Sequence, residues 1–261
     1  MIKLEKNFTP ICLRPAEEAR LASLYAANGT RVWAAQEIVS ALKETSRNKC
    51  AYCEARLGVE SHYLEVDHFE HKDLYPSKVA TWDNLIPSCR RCNGTKHIHD
   101  VRTDPIINPY KDDPRDHMGF RDYRYRARTA LGKSSIGALD LNNSERAVKA
   151  RFDIGEQVHQ SLINCVEKLE NFIKTRTTLR RNRILSAVRS ILLECQPCAA
   201  YAATTAYVVH NDENYQSIIS QMKIEELWDE EFEAMHQSSL SLVLFDGMVM
   251  AAARAQVAAT A

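Results

Sequence analysis

Four cysteines stand in two pairs, Cys50-Ala51-Tyr52-Cys53 and Cys89-Arg90-Arg91-Cys92, with 35 residues between the pairs. Two thiolates separated by two residues grip one side of an ion, and two such pairs complete a tetrahedral sulfur site with no position left for water or substrate. A closed site of this kind contributes folding free energy and does no chemistry itself. The spacing therefore predicts a structural Zn²⁺ on Cys50, Cys53, Cys89 and Cys92. The insert between the pairs is longer than a simple zinc ribbon needs, and it is polar. Its segment "LEVDHFEHKD" (64–73) sets Glu65, Asp67 and His68 almost side by side, with His71 three residues further on. Asn84 lies ahead of the second cysteine pair and Asn93 just behind it. A carboxylate, an imidazole and amides held by one clamp are the materials of a metal-assisted catalytic site; without the clamp they would read as a solvated loop.

Taken together, the pattern C-x2-C…DH…N-L…C-x2-C-N-x2-K, covering roughly residues 48–100, resembles the HNH endonuclease family with its ββα-metal fold. His68, Asn84 and Asn93 stand at the three positions that name the motif, the last being Asn where other members often have His. The resemblance implies cleavage of nucleic acid to 5′-phosphate and 3′-hydroxyl ends. Such cleavage needs a base for water and a cation near the departing oxygen. His68 is the candidate base, since an imidazole with an unperturbed pKa of about 6.5 accepts a proton near neutral pH. Asp67 and Asn93 offer hard oxygen ligands for one hydrated Mg²⁺, with Mn²⁺ the alternative ion. Asn84, by resemblance, ties the loop and orients His68. Arg90, Arg91 and Lys96 are expected to contact substrate phosphate. Glu65 and His71 are candidates for an additional ligand or supporting bond, His97 and His99 read as surface residues, and Trp82 reads as the plug of the small fold.

The elements that must position this site are largely helical. "AEEARLASLYAAN" after Pro15, ending at Gly29, predicts one helix. "RVWAAQEIVSALKETSR" predicts another, with Val32, Ala35, Ile38 (or Val39) and Leu42 on one face. "YLEVDHF" reads as a strand, "LYPSKVATWDN" as a loop, and "SCRRCNGTKH" as a turn entering a short helix. Pro and Asp make 104–116 irregular, and "FRDYRYRART" alternates as a basic strand. Asn142 with Glu145 predicts a helix cap. Val158, Leu162, Val166, Leu169 and Phe172 (or Ile173) then recur at helical spacing, followed by "TTLRRNRILSAVRSILLEC", the Ala-rich stretch after Pro197, and "YQSIISQMKIEELWDEEFEAM". The expected class is α+β, mainly helical: N-terminal helices over 1–47, a zinc-bound HNH module over 48–103, an irregular segment with a basic strand over 104–140, and a C-terminal helical, partner-docking region over 141–261.

This layout, with the strings "NKCAYCE", "EVDHF" and "CRRCNGTK", resembles the PtuB-like HNH effector subunits of Septu-type and retron-associated anti-phage systems. That resemblance implies a PtuA-like ABC-type ATPase as partner and, in retron systems, a reverse transcriptase with its DNA–RNA hybrid. It also implies a toxic nuclease held inactive until infection. Two other classes stay open: a zinc-stabilised binding or scaffold subunit with an inert site, and a stand-alone restriction-type HNH nuclease, although no helix-turn-helix or other DNA-reading domain is evident.

Composition fits these readings. The chain has 261 residues, 45% hydrophobic and 26% charged, as in an ordinary globular protein. No apolar run reaches the about 18–20 residues of a membrane span, and no secretory signal is visible, so a cytoplasmic protein is expected. Net charge is zero, yet residues 1–135 hold 22 Lys/Arg against 18 Asp/Glu, while 136–261 hold 12 against 16. A basic first half suits a polyanion and an acidic second half suits a protein partner. Cys195-Gln196-Pro197-Cys198 lacks the strand-to-helix setting of a redox pair, and both thiols are expected to be free and buried.

Overall fold

The computed structural model of the chain describes residues 1–59 and 63–245. It divides into two compact units, one of residues 1–118 and 125–142, the other of residues 119–124 and 143 onward. The class is α+β and mainly helical. The C-terminal region expected to be helical through residue 261 lies outside the described residues from 246 on.

In the first unit, α1 spans Pro15–Asn28, with Pro15 at the opening turn and Glu17 and Glu18 near the positive end of the helix dipole. Gly29 closes it in the left-handed conformation, φ 70°, donating its N–H to Tyr25 O. Helix α2, Gln36–Thr45, begins later than the apolar spacing predicts. Val32–Ala34 form a separate 3₁₀ turn and Ala35 is extended, which turns Trp33 inward instead of along a helix face. Ile38, Ala41 and Leu42 of α2 then share a core with Trp33, Val79, Trp82 and Leu85.

The site is built on the next three elements. Strand β1, Leu64–His68, pairs antiparallel with β2, Leu85–Cys89, and helix α3, Arg90–Lys96, follows β2 without a linker. The register sets Asp67 opposite Ile86 and His68 opposite Leu85. All five residues of β2 are buried, so its sequence, LIPSC, shows no polar alternation to mark a strand. Pro87 has no N–H to give, but its carbonyl accepts from Ala51 N at 2.9 Å and so ties β2 to the first cysteine knuckle.

Beyond the module come α4 (Pro114–His117), β3 (Met118–Arg121), β4 (Arg124–Ala127) and α5 (Ala130–Ala138). The single basic strand expected over "FRDYRYRART" is instead split between β3 and β4. Asp122 and Tyr123 sit at φ 51° and 59°, and positive φ at both central residues is what a two-residue hairpin turn of the I′ type requires. No Asn-Gly marks this turn.

The second unit holds α6 (Lys149–Lys174), α7 (Thr178–Glu194), α8 (Ala202–Asn211), α9 (Glu213–Ile224) and α10 (Glu230–Leu240). The cap expected from Asn142 is corrected: Asn143 accepts from Arg146 N, while the Asn142 side chain belongs to the first unit and pairs with the backbone of Tyr125. Val158, Leu162, Leu169 and Phe172 face the core, and Cys165 rather than Val166 is the fully buried residue between them. The long segment around "YQSIISQMKIEELWDEEFEAM" breaks into α9 and α10, with Glu226 at φ 56° and Asp229 capping α10. Cys195 is a buried free thiol, whereas Cys198 is exposed, against expectation, because it lies past the end of α7. No helix among the described residues is long and apolar enough to cross a membrane.

Candidate active site

The two cysteine pairs converge. Cys50 and Cys53 lie on a tight knuckle closed by Cys50 N donating to Ala55 O and Glu54 N to Cys50 O. Cys89 ends β2 and Cys92 sits in the first turn of α3. All four sulfurs lie within 4.8 Å of one another, a donor set that could hold one metal ion. Cys53 and Cys89 sulfurs are 3.7 Å apart, far beyond the disulfide length of about 2.05 Å.

The knuckle and α3 also hold Asp67. This residue is 2% exposed. The Tyr52 hydroxyl, from within the first Cys-x-x-Cys, donates to Asp67 Oδ2 at 2.6 Å. Lys96 Nζ, at the far end of α3, donates to Asp67 Oδ1 at 3.0 Å and to His68 O at 2.8 Å. Burying a carboxylate is costly unless it is paired and fully hydrogen-bonded, and these two donors meet that condition. The expected contact of Lys96 with phosphate is thereby corrected: its ammonium is buried on Asp67 and does not reach solvent. Arg91 is half-buried and donates to Asp140 O and to Cys92 Sγ, so it faces the thiolates. Arg90 is exposed.

His68 is 4% exposed. Its Nε2 lies 3.0 Å from Val79 O, and a carbonyl only accepts, so Nε2 carries the ring proton and Nδ1 keeps a free lone pair. The ring stands edge-on to Trp33, centroids 4.7 Å apart. Burial pushes the imidazole down to about 4, against the smaller opposing pull of the Val79 hydrogen bond and Asp67, so it is neutral at physiological pH.

Asn84 closes the loop between the strands. Its side chain accepts from Glu70 N at 2.7 Å and donates to Glu70 O and Lys78 O, and its backbone carbonyl accepts from Phe69 N. It does not line the cleft that holds the other candidates. That cleft, of about 840 Å³, is shared by Glu65, Asp67, His68, His71 and Asn93. Glu65 and Asp67 alternate on β1 and so share a face. Asn93 Nδ2 donates to Glu65 Oε2 at 2.7 Å, leaving its amide oxygen without a hydrogen bond among the described residues. Glu65, the Asn93 amide oxygen and the remaining lone pairs of Asp67, whose two oxygens each already accept one hydrogen bond, form a donor set that suits a hard divalent cation keeping waters.

The remaining candidates scatter. His97 is exposed, and His99 is half-buried with Nε2 on Asp104 O. Trp82 is buried, its indole N–H on Phe8 O. Sequence reasoning missed the supporting residues Tyr52, Trp33 and Val79 entirely. Only the position of Tyr52 inside the first Cys-x-x-Cys offered a signal. It also missed three cations that line the cleft from other elements, Arg31, Lys43 and Lys72.

The HNH endonuclease family matches residues 50–98, the stretch that carries the cysteine cluster, β1, β2 and α3. Across nearly the whole chain the sequence is similar to the Septu protein PtuB of Bacillus thuringiensis, 40% identical over 92% of this chain and 93% of that one. A second Septu protein PtuB, from Bacillus mycoides strain KBAB4, is 27% identical over 42% of this chain and 48% of the other. No solved structure matches this chain.

Proposed function

The chain belongs to the family of the Septu protein PtuB, and from that premise we propose that it is a metal-dependent HNH endonuclease, the nucleic-acid-cleaving effector of an anti-phage defence complex. The observation that carries this reading is the fixed tautomer of His68. Val79 O accepts a hydrogen bond from Nε2–H and so leaves Nδ1 as the lone-pair nitrogen of a residue that lines the cleft with Asp67 and Asn93. His68 Nδ1 takes the proton from the attacking water. Trp33 and the Val79 carbonyl fix the ring plane, and burial keeps the imidazole uncharged and able to accept. Lys96 and Tyr52 hold Asp67, and Asn84 holds the backbone of Phe69 and Glu70 that directly follows His68. Asp67, Asn93 and Glu65 would bind Mg²⁺, or Mn²⁺, which when bound stabilises charge on the departing oxygen.

We assign the four thiolates to structural zinc. Sulfurs bonded at about 2.3 Å to one tetrahedral ion stand about 3.8 Å apart, and the Cys53–Cys89 separation is 3.7 Å. Partner assignments rest on family resemblance: a PtuA-like ABC-type ATPase that controls the nuclease, a retron reverse transcriptase with its DNA–RNA hybrid where one is encoded nearby, and action in the cytoplasm.

The test is His68→Ala, scored for cellular toxicity, zinc content and newly formed 5′-phosphate ends when the chain is induced with its genomic neighbours. Loss of toxicity and of new ends with zinc intact is expected. Full toxicity with zinc intact would assign the activity to a partner and leave this chain as a scaffold.

A further inference from the structure

Lys96 and Arg91 are committed to Asp67 and the thiolates, so a polyanion entering the cleft must be met by other groups. Two of the cations lining the cleft have no ion-pair partner among the described residues: Arg31, in the turn after α1, and Lys43, on α2. The third, Lys72, has Asp73 3.5 Å away. Lys43 is half-buried and lines the cleft. Arg31 holds its guanidinium 6.0 Å from the centre of the Trp33 ring, which also packs edge-on against the His68 imidazole and against Tyr25. Both cations therefore share the cleft with the base while standing on elements outside the HNH module. The same cleft is also lined by the carboxylates of Glu65 and Asp67, and without these cations it would repel a phosphodiester.

Resting on the nuclease reading, we infer that Arg31 and Lys43 bind the phosphates flanking the bond to be cut. The N-terminal helical pair is then part of the nucleic-acid-binding surface, and the ββα module alone does not hold substrate. Each phosphate contact contributes about 0.9 to the slope of log affinity against log salt on duplex and about 0.7 on single strands. Removing both cations should therefore reduce the affinity lost between 50 and 200 mM salt by about ten-fold.

The experiment measures binding of 20-nucleotide fluorescein-labelled single-stranded DNA, the same sequence as RNA, and the DNA duplex, by anisotropy across a salt series. It uses the zinc-loaded full chain in a His68→Ala background, so that nothing is cleaved. Arg31→Gln and Lys43→Gln should each lower affinity and flatten the slope by about one contact. The double variant should flatten it by about two, and Lys43→Arg should keep it. Zinc content and melting temperature, measured alongside, report folding. Unchanged slopes in correctly folded variants overturn the inference, as does failure of the unsubstituted background to bind any of the three probes at 50 mM salt. If His68-dependent cleavage by the native chain persists in either case, the nuclease reading stands and only the clamp is lost. The preferred probe tells DNA from RNA and single strand from duplex.

Discussion

Replacing Lys96 by Met separates the two roles open to this residue. In the structure its ammonium lies 3.0 Å from Asp67 Oδ1 and 2.8 Å from His68 O, with both side chains buried. At 3.0 Å and an effective dielectric of about 20, the gross attraction is about 5 kcal/mol. Desolvation of the two groups offsets much of that, so the pair as a whole adds little. Removing one partner is different: Asp67 stays buried with Tyr52 as its one remaining side-chain donor, which costs about 3–5 kcal/mol. That is a large share of the about 5–15 kcal/mol that holds a domain folded, and it corresponds to a fall of about 10–20 °C in melting temperature for a unit of this size. Urea denaturation, followed through Trp33 and Trp82 in a Trp228→Phe background, reads the first unit. The double variant Lys96→Met/Asp67→Asn removes both charges and should recover to within about 1–2 kcal/mol of the parent. If Lys96 faced substrate instead, Lys96→Met would leave stability unchanged and flatten the salt dependence of binding. A loss below about 1 kcal/mol, or a double variant no more stable than Lys96→Met, refutes the buried pair.

Three further outcomes follow from the packing. Cys92→Ser should abolish binding of about one zinc per chain, read by chelator colorimetry, and unfold the first unit, because a structural site's binding energy is folding energy. In the second unit, burial pushes His210 down to about 3, with His236 beside it also lowered by burial. The unfolded chain therefore takes up protons first below pH 6.5, so stability is full above that and falls as pH drops toward 3. The loss from His210 is about 2 kcal/mol by pH 5 at 1.36 kcal/mol per pH unit; melts at pH 7 and 5 should show it, and His210→Gln should reduce the difference. Finally, a Cβ on Gly132 would stand 2.0 Å from His117 O whereas one on Gly137 meets nothing within 4 Å. Gly132→Ala should destabilise by about 1–3 kcal/mol and Gly137→Ala should stabilise by up to about 1 kcal/mol, both read by urea midpoints.

How far the sequence spoke depended on whether a feature was local. Cysteine spacing, Pro15 and Gly29 at the ends of α1, and the polar alternation of β1 are written within a few residues, and the structure has each of them. β2 was hidden because burial on both faces erases alternation, and the Asp122-Tyr123 turn because ordinary residues occupy its left-handed positions. Asn142 and Asn143 are indistinguishable as caps until the backbone of Tyr125 claims one of them. The site divides in the same way. Asp67, His68 and Asn93 are named by a short motif, but Lys96 could not be told from a phosphate ligand without knowing that α3 runs back across β1. Trp33 and Val79 bear on His68 from 35 residues before it and 11 after, through contacts no local pattern encodes.

The thiolate cluster and the imidazole are mechanically one object. The first cysteine pair carries Tyr52 on its knuckle, the second starts the helix that delivers Lys96, and both side chains end on Asp67, with Lys96 also on the carbonyl of His68. An ion held by the four sulfurs would therefore fix not only the fold but the position of the carboxylate beside the base. Because Tyr52 and Lys96 lie on opposite cysteine pairs, losing either pair would release one of the two donors on Asp67. A buried carboxylate with half its partners gone moves toward water, and here the water lies in the cleft where His68 must meet substrate.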